Sequence, residues 1–395
     1  MDKDKRIPSS LRFIFIITFL GQMIMGVMGI AVPIYADLLG ASPFLIGVIG
    51  AAGGLTYSFM PLIAGIFSDK LKRKVFISAS VTSYGFSCIF YSLTDNPSML
   101  IFIKALEWVS MAIFWPAIEA SLADTGEESL EETLKKFNIS WGSAIIIGPM
   151  VGGLLISGYT IKAPFIFSLI VSFSLGVLSF ILIKESPRRQ ERSMQEGSEV
   201  ERRSNSRYAI ITALSSILLF STIGGINSSL FPAYATDLGI PAYEIGLIMF
   251  VSGASRTVAF YLANKIEAKL GKLAMFLGGS LTLAFASALT ANSYITITFL
   301  ICFLLFGLGA GISYAASISF ILRRWSSSKG YAAGLFESLI GLGYFLGPLT
   351  GGIISEYALN APYIYGCILS LTVFFLQLTL NKRSLTSSQL EPKRI

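Results

Sequence analysis

Long apolar stretches dominate this chain and limit what it can fold into. A helix needs about 20 apolar residues to cross the hydrocarbon core of a bilayer, which is about 30 Å thick. The 395-residue sequence contains twelve such stretches, approximately at 12–36, 44–67, 75–93, 99–122, 137–157, 164–183, 208–235, 243–263, 273–290, 294–321, 331–355 and 361–380. The sequence therefore predicts an all-α membrane protein with twelve transmembrane helices in contact with lipid.

The composition agrees with a chain that lies mostly in lipid. With 53% hydrophobic and 13% charged residues, it has too little polar surface to cover a soluble globule of this length. Its three cysteines lie inside apolar stretches without Cys-x-x-Cys spacing, and the sequence contains no His. Disulfides, the usual His/Cys zinc sites and a bound cofactor are therefore not expected.

Lys and Arg residues fall almost entirely on one side of the predicted helices. The termini and the connections after spans 2, 4, 6, 8 and 10 hold 27 of them, whereas the other connections hold Lys162 alone. By the positive-inside rule, both termini are expected in the cytoplasm of a cell whose plasma membrane holds the protein. Because the basic excess lies in these connections, it gives no reason to expect a nucleic-acid partner.

A duplicated pattern divides the chain into two similar halves. The sequence GSAIIIGPMVGG at Gly142 to Gly153 returns as GLGYFLGPLTGG at Gly341 to Gly352, an offset of 199 residues that also relates other pairs such as Pro33 and Pro232. The sequence thus predicts an N-terminal six-helix bundle over 1–183, a cytoplasmic linker over 184–207 and a C-terminal six-helix bundle over 208–395 with a short tail. Six helices per half give both halves the same topology, as in transporters built from parallel repeats.

Two motifs carry a resemblance to a known family. The connection GIFSDKLKRK at Gly65 to Lys74 resembles the G-x-x-x-D-R-x-G-R-R loop of the major facilitator superfamily, with Lys70 in place of the first Arg and Lys72 in place of the second Gly. The G-P-x-x-G-G sequence of span 5 resembles the antiporter motif of the drug/proton exchangers of that superfamily. The twelve-span plan extends the resemblance over the whole chain.

The resemblance implies a monomeric secondary active transporter of a small molecule that works by alternating access. Proton-coupled export of amphipathic compounds is the first expectation, and uptake of a sugar or organic acid by symport is the alternative within the family. A membrane ligand sensor without flux is the alternative from another class. An enzyme is not expected, because the sequence has no catalytic constellation or nucleophile motif.

The loop at Gly65 to Lys74 is expected to work as a cytoplasmic gate. Asp69 can face the positive amino end of a helix, and the resemblance points to the start of span 11 near 330–334. It also suggests that Arg73 reaches Glu119 or Asp124 at the end of span 4. The alternative is that this loop, which also holds Lys70, only supplies positive-inside charge, and that interpretation is preferred for Lys72 and Lys74.

Glycines and prolines of spans 5 and 11 are expected at tight helix contacts. Gly lacks a side chain and Pro removes a backbone donor, so both permit close approach and bending. The residues that form this helix-packing motif are Gly148, Pro149, Gly152, Gly153, Gly347, Pro348, Gly351 and Gly352.

Four charged residues fall inside the predicted spans, where charge is costly and therefore suggests function. Lys104 and Glu107 are spaced i, i+3 in span 4 and can pair on one helical face. Arg256 and Glu337 have similar predicted depths in spans 8 and 11, so they could pair as well. Glu107 or Glu337 is expected to carry the proton, although each also fits a purely structural pair.

A substrate path is expected along the charged face of span 4. Met111 and Trp115 continue the face of Glu107 and offer a polarizable and aromatic surface. The resemblance implies that spans 1, 4, 7 and 10 line the path. It thereby adds four candidates, each of which also fits simple helix packing: Gln22, Trp108, Asn227 and Tyr314.

Overall fold

The structure is a computed structural model that describes residues 9–68, 73–124, 130–183, 207–324 and 329–390. These residues form helices joined by short turns, and they contain no strand. The predicted all-α class is therefore confirmed. The predicted linker over 184–207 lies outside the described residues except for its last residue, Arg207.

The chain forms helices over most of the predicted spans. Their bounds are α1 Ser9–Leu38, α2 Pro43–Ser68, α3 Arg73–Leu93, α4 Met99–Asp124, α5 Leu130–Gly158, α6 Ala163–Leu182, α7 Arg207–Ser229, α8 Phe231–Asp237, α9 Ala242–Ala291, α10 Thr296–Arg324, α11 Lys329–Ser355 and α12 Ala361–Leu390.

Eleven of the described helices are long and apolar enough to cross a membrane, against twelve predicted spans. The difference lies in α9, which holds predicted spans 8 and 9 in 50 residues. Its backbone leaves helical geometry at Gly271, where φ is 79° and ψ is 164°. Only glycine adopts this left-handed conformation without steric cost, so the two helical segments of α9 meet there. Predicted span 7 is divided at Leu230 into α7 and the short helix α8.

Polar side chains inside the helices bond to their own backbone. The hydroxyls of Thr18 and Thr290 each donate to the carbonyl oxygen four residues earlier, at 2.8 Å. Ser58 donates in the same way to Gly54 at 2.9 Å. Because lipid offers no hydrogen-bond partner, this local satisfaction lets Ser and Thr occupy membrane helices.

Contacts divide the chain into two compact units. In the first unit, α1 packs on α5, and α3 packs on α4 and α6. In the second unit, α7 packs on α10, α11 and α12. The first unit also contains Ala235–Phe250, and the second contains Ser42–Ser58. Each unit therefore includes a segment that the sequence assigns to the other half, so the two predicted bundles stay a prediction.

Candidate functional site

The first unit contains a buried ion pair with a tyrosine bound to it. Lys104 Nζ lies 2.9 Å from Oε1 and 3.0 Å from Oε2 of Glu107. The Tyr91 hydroxyl of α3 donates to Glu107 Oε2 at 2.9 Å. Lys104 is 9% and Glu107 is 2% exposed. Two charges removed from water are tolerated only with such good geometry and added hydrogen bonds.

Aromatic rings complete the surroundings of this ion pair. The Tyr91 ring stacks on Phe165 at a centroid distance of 5.4 Å, and Tyr35 meets Phe165 edge-on at 5.2 Å. Lys104 Nζ also lies 5.9 Å from the centroid of the Trp108 ring. The pair lies in the second turn of α4, close to the end at Met99. This arrangement holds both charges in a fixed place between α3, α4 and α6.

The second unit holds Glu337 at the contact between α2 and α11. The Tyr57 hydroxyl of α2 donates to Glu337 Oε2 at 3.1 Å. One turn further along α11, a methyl group on Gly341 would lie 2.6 Å from the backbone nitrogen of Ser58. The two helices therefore approach each other closely here, and the carboxylate of α11 faces α2. Glu337 remains partly exposed.

The possible pairing of Arg256 with Glu337 stays a prediction. Among the described residues, Arg256 Nε is buried without a hydrogen-bond partner. Helix α9 presses its backbone at Arg256 against Gly307 and Gly311 of α10. The predicted depths were similar, but depth along the membrane does not fix the direction in which a helix face points.

Four aromatic residues meet around Tyr314 in the second unit. The ring of Tyr314 lies 5.8 Å from Phe220, 5.2 Å from Phe260 and 5.0 Å from Phe336 between centroids. These residues come from α7, α9, α10 and α11, and we call them the Tyr314 cluster. Because Phe336 precedes Glu337 in α11, the cluster and the carboxylate share a short segment of one helix. Rings with an adjacent carboxylate can bind an amphipathic cation.

The other residues of the predicted path differ in exposure. Gln22, Trp108 and Trp115 are partly exposed, and Trp115 meets Phe114 edge-on at 4.9 Å. Met111 is fully buried, at 0%. Asn227 is 9% exposed, and among the described residues no donor reaches its Oδ1. A buried amide oxygen without a partner is costly, which makes Asn227 available to a ligand.

The predicted packing motif lies at the closest helix contacts of both units. A methyl group on Gly148 or Gly152 would lie 2.6 Å from the Met23 carbonyl oxygen or 2.9 Å from that of Val27, both in α1. The copy in α11 approaches α7, where Pro348 Cδ lies 2.8 Å from the methyl position of Gly225. Pro149 lies on the same α1 contact, and Gly347 and Gly351 lie against α7 and the residue after it, Leu230. Gly153 instead lies against α9, and Gly352 lies against α2.

Replacing Gly148 by Ala should destabilise the protein by about 1 to 3 kcal/mol, because the added methyl meets backbone atoms that cannot rotate away. The matched control is Gly278→Ala in α9, where a methyl group meets nothing within 4 Å. That change should leave stability equal or higher, because Ala favours helix over Gly. Thermal unfolding followed by a thiol-reactive dye, which reports exposure of the buried Cys88 and Cys302, would measure both. Equal midpoints for the two variants would contradict the close-contact reading.

The predicted cytoplasmic gate lies mostly outside the described residues. Asp69 and Lys70 are among the residues not described. The side chains of Arg73 and Asp124, and the surroundings of Gly65, are also outside the description, although these residues belong to α3, α4 and α2. Glu119 is described and exposed. The gate therefore stays a prediction.

The chain matches a known protein family along nearly its whole length. The family model described as Major Facilitator Superfamily matches residues 14–231 and 212–394, which together span nearly the whole chain. The chain belongs to the major facilitator superfamily. Members of this superfamily are transporters and not enzymes, so the protein is a multi-pass membrane transporter of small molecules.

Two relatives are similar to this transporter in sequence, and a solved structure is similar to it in fold. It is 22% identical to an uncharacterized MFS-type transporter of Methanocaldococcus jannaschii over 93% of this chain and 97% of that protein. It is 24% identical to multidrug resistance protein 2 of Bacillus subtilis over 88% of each chain. The solved structure of the nucleoside transporter NupG matches with a TM-score of 0.74 at 15% identity, covering 95% of this chain and 100% of that one.

Uncharged residues complete the site of this transporter, and sequence reasoning missed them. Tyr91 donates to the buried Glu107 carboxylate and Tyr57 donates to the partly exposed Glu337 carboxylate, and Phe220, Phe260 and Phe336 surround Tyr314. A charged residue inside a membrane span stands out in the sequence because charge is costly there. An aromatic residue in the same place cannot be told from one that only packs between helices. Proximity to Glu337 along α11 would have pointed to Phe336 alone.

Proposed function

We propose that this transporter exports small amphipathic compounds in exchange for protons by alternating access. The observation that carries the proposal is Glu337, a partly exposed membrane acid that directly follows Phe336 of the Tyr314 cluster in α11. An exchanger needs one group that both a proton and a substrate can occupy. A carboxylate next to aromatic rings meets that need for a cationic or amphipathic substrate.

The coupling would follow from competition for Glu337. When the carboxylate is ionised, it attracts a cationic compound whose apolar part packs on the rings of the Tyr314 cluster. When it is protonated, that attraction is lost and the compound is released. Tyr57 would hold the carboxyl group in place in both forms, because a carboxyl oxygen accepts a hydrogen bond with or without the proton.

Glu107 is less suited to this exchange. Its carboxylate is already shared between Lys104 and Tyr91, and only 2% of the residue is exposed. Lys104 and Tyr91 already occupy both oxygens of this carboxylate, which leaves it little room to bind a substrate. We therefore assign the proton to Glu337 and a positioning role to Lys104 and Glu107.

The name of one relative supports export as the direction of transport. Multidrug resistance protein 2 bears a name that refers to resistance, and it aligns with this chain over most of its length. The identity of 24% is too low to carry over a substrate. We propose that the protein is a monomer in the plasma membrane. The distribution of basic residues supports a cytoplasmic position for both termini.

Symport of an organic acid with protons is the second candidate function. Arg256 is the residue that favours it. Its Nε is buried and has no hydrogen-bond partner among the described residues. A guanidinium inside a membrane helix binds a carboxylate well, and the fork of donors would fix the anion's orientation. In that case the proton and the acid would move in the same direction.

Purified protein in liposomes with a trapped pH-sensitive dye would test these assignments. Lipophilic cations, sugars and organic acids are added outside one at a time, and proton movement is recorded against protein-free liposomes. We expect cations alone to drive protons out of the lumen as they enter. Proton entry with an organic acid or a sugar would replace the proposal by symport, and ligand binding without any flux would identify a sensor.

A further inference from the structure

Two helices begin at positions that the repeat relates to each other, and each is capped by a residue from the opposite half of the sequence. In the second unit, the Phe44 amide of α2 donates to Glu356 Oε1 at 2.9 Å. In the first unit, the Tyr243 amide of α9 donates to Ser157 Oγ at 3.0 Å. The offset of 199 residues converts Phe44 into Tyr243, and after Gly153 the offset becomes 198, which converts Ser157 into Ser355. Glu356 is the residue after that counterpart, so both caps join corresponding helix ends through acceptors one position apart.

These bonds satisfy groups that the helices cannot satisfy themselves. The first amides of a helix have no carbonyl partner within it, and Phe44 and Tyr243 are each the second residue of their helix. An oxygen from another part of the chain takes over the role of an N-cap side chain. Capping of this kind stabilises a helix end measurably, and it is lost when the donor and the acceptor separate.

Close glycine contacts lie beside both caps. A methyl group on Gly352 of α11 would lie 2.9 Å from Gly47 Cα in α2. A methyl group on Gly246 of α9 would lie 2.8 Å from the carbonyl oxygen of Pro149 in α5. Each cap thus closes the end of a tight contact between helices from opposite sequence halves. If the halves part on this side, both caps must break.

We propose that Glu356 and Ser157 are gating residues that hold the transporter shut on the side where α2 and α9 begin. This inference rests on the proposed alternating-access function. The two caps differ in strength, because Glu356 brings a carboxylate to the positive end of α2, whereas Ser157 brings a neutral hydroxyl to α9. The contact of α2 with α11 is therefore the more strongly closed of the two.

The test measures separation of the two sequence halves in the full chain. Spin labels are attached at Asn96→Cys and Ile295→Cys, which lie in the exposed connections before α4 and α10, in a Cys367→Ser background whose Cys88 and Cys302 are buried. Distance distributions are recorded in lipid nanodiscs without substrate and without a pH gradient. The outcome then does not depend on which compound is transported or whether protons are coupled.

Removing a cap should shift the population toward greater separation. For Glu356→Ala we expect the ratio of separated to closed molecules to rise about three- to tenfold, and for Ser157→Ala about two- to threefold. The double variant should show the product of the two changes, and Glu356→Gln, which keeps an acceptor, should lie between wild type and Glu356→Ala. The control Tyr357→Ala alters the neighbouring exposed side chain and should change nothing.

A second label pair on the other side distinguishes gating from plain stability. Labels at Val75→Cys and Leu270→Cys, both exposed, should move closer together as the capped side opens. A lower thermal midpoint for Glu356→Ala with unchanged distances at both label pairs would overturn the proposal. Unchanged distances in the double variant would do so as well, while leaving the proposed export untouched.

Discussion

Replacing Glu337 by Gln should abolish substrate-evoked proton movement in liposomes. The amide has nearly the shape of the carboxyl group and still accepts the hydrogen bond that Tyr57 donates at 3.1 Å. It cannot bind or release a proton at neutral pH, so the exchange loses its carrier. Flux measured with the trapped dye should fall to the level of protein-free liposomes, while thermal stability changes little.

Two further variants make this result specific. Ser338→Ala changes the next residue of α11 without touching an acid, and it should keep wild-type flux. Glu107→Gln tests the other acid that the sequence predicts. If Glu337→Gln retained full flux and Glu107→Gln lost it, the proton would belong to the ion pair of α4 and the assignment of Glu337 would be wrong.

Replacing Lys104 by Met should destabilise the protein by about 3 to 5 kcal/mol. The change leaves the Glu107 carboxylate, which is only 2% exposed, with the hydrogen bond that the Tyr91 hydroxyl donates at 2.9 Å and no counterion among the described residues. A charge without its counterion is far more costly there than the pair itself. Unfolding detected by thiol labelling of Cys88 and Cys302 should occur about 5 °C lower than in the wild type.

The rescue of this variant separates lost charge from lost packing. Adding Glu107→Gln to Lys104→Met removes the buried charge, so most of the stability should return. Lys162→Met is the matched control, because Lys162 pairs at 3.4 Å with the exposed Asp95, and exposed pairs contribute about 1 kcal/mol or less. A loss for Lys162→Met as large as that for Lys104→Met would contradict the role of burial.

Hydrophobicity and spacing predict much of this molecule. The lengths of the apolar stretches predict the helices, because a membrane requires a minimum length and satisfied backbone groups. The i, i+3 spacing predicts that Lys104 and Glu107 meet, because neighbours on one helix face are fixed by helix geometry alone. Gly148 and Gly152 are likewise found at the predicted tight contacts, since no other residue fits there.

Relations between different helices could not be predicted in the same way. Whether Arg256 meets Glu337 depends on the rotation of two helices about their axes, which no local pattern encodes. The same holds for Tyr57, which lies 280 residues from Glu337 in sequence. The segment Ser42–Ser58 belongs to the same unit as most C-terminal helices, which depends on contacts between helices from different sequence halves. The repeat shows only that the two halves have similar sequences, and it does not show which helices meet.

The exchange of segments between the two units bears on how such a chain arose. A single six-helix polypeptide with the contacts of residues 9–183 would expose the glycine face of α2 and leave the amide of Phe44 uncapped. Two identical copies would cover both surfaces by reciprocal contact, which is the arrangement of a symmetric dimer. Fusion of two genes would then convert contacts between subunits into contacts within one chain. Mutation could afterwards make the two caps chemically different, with Glu356 in one and Ser157 in the other, which identical subunits would not allow.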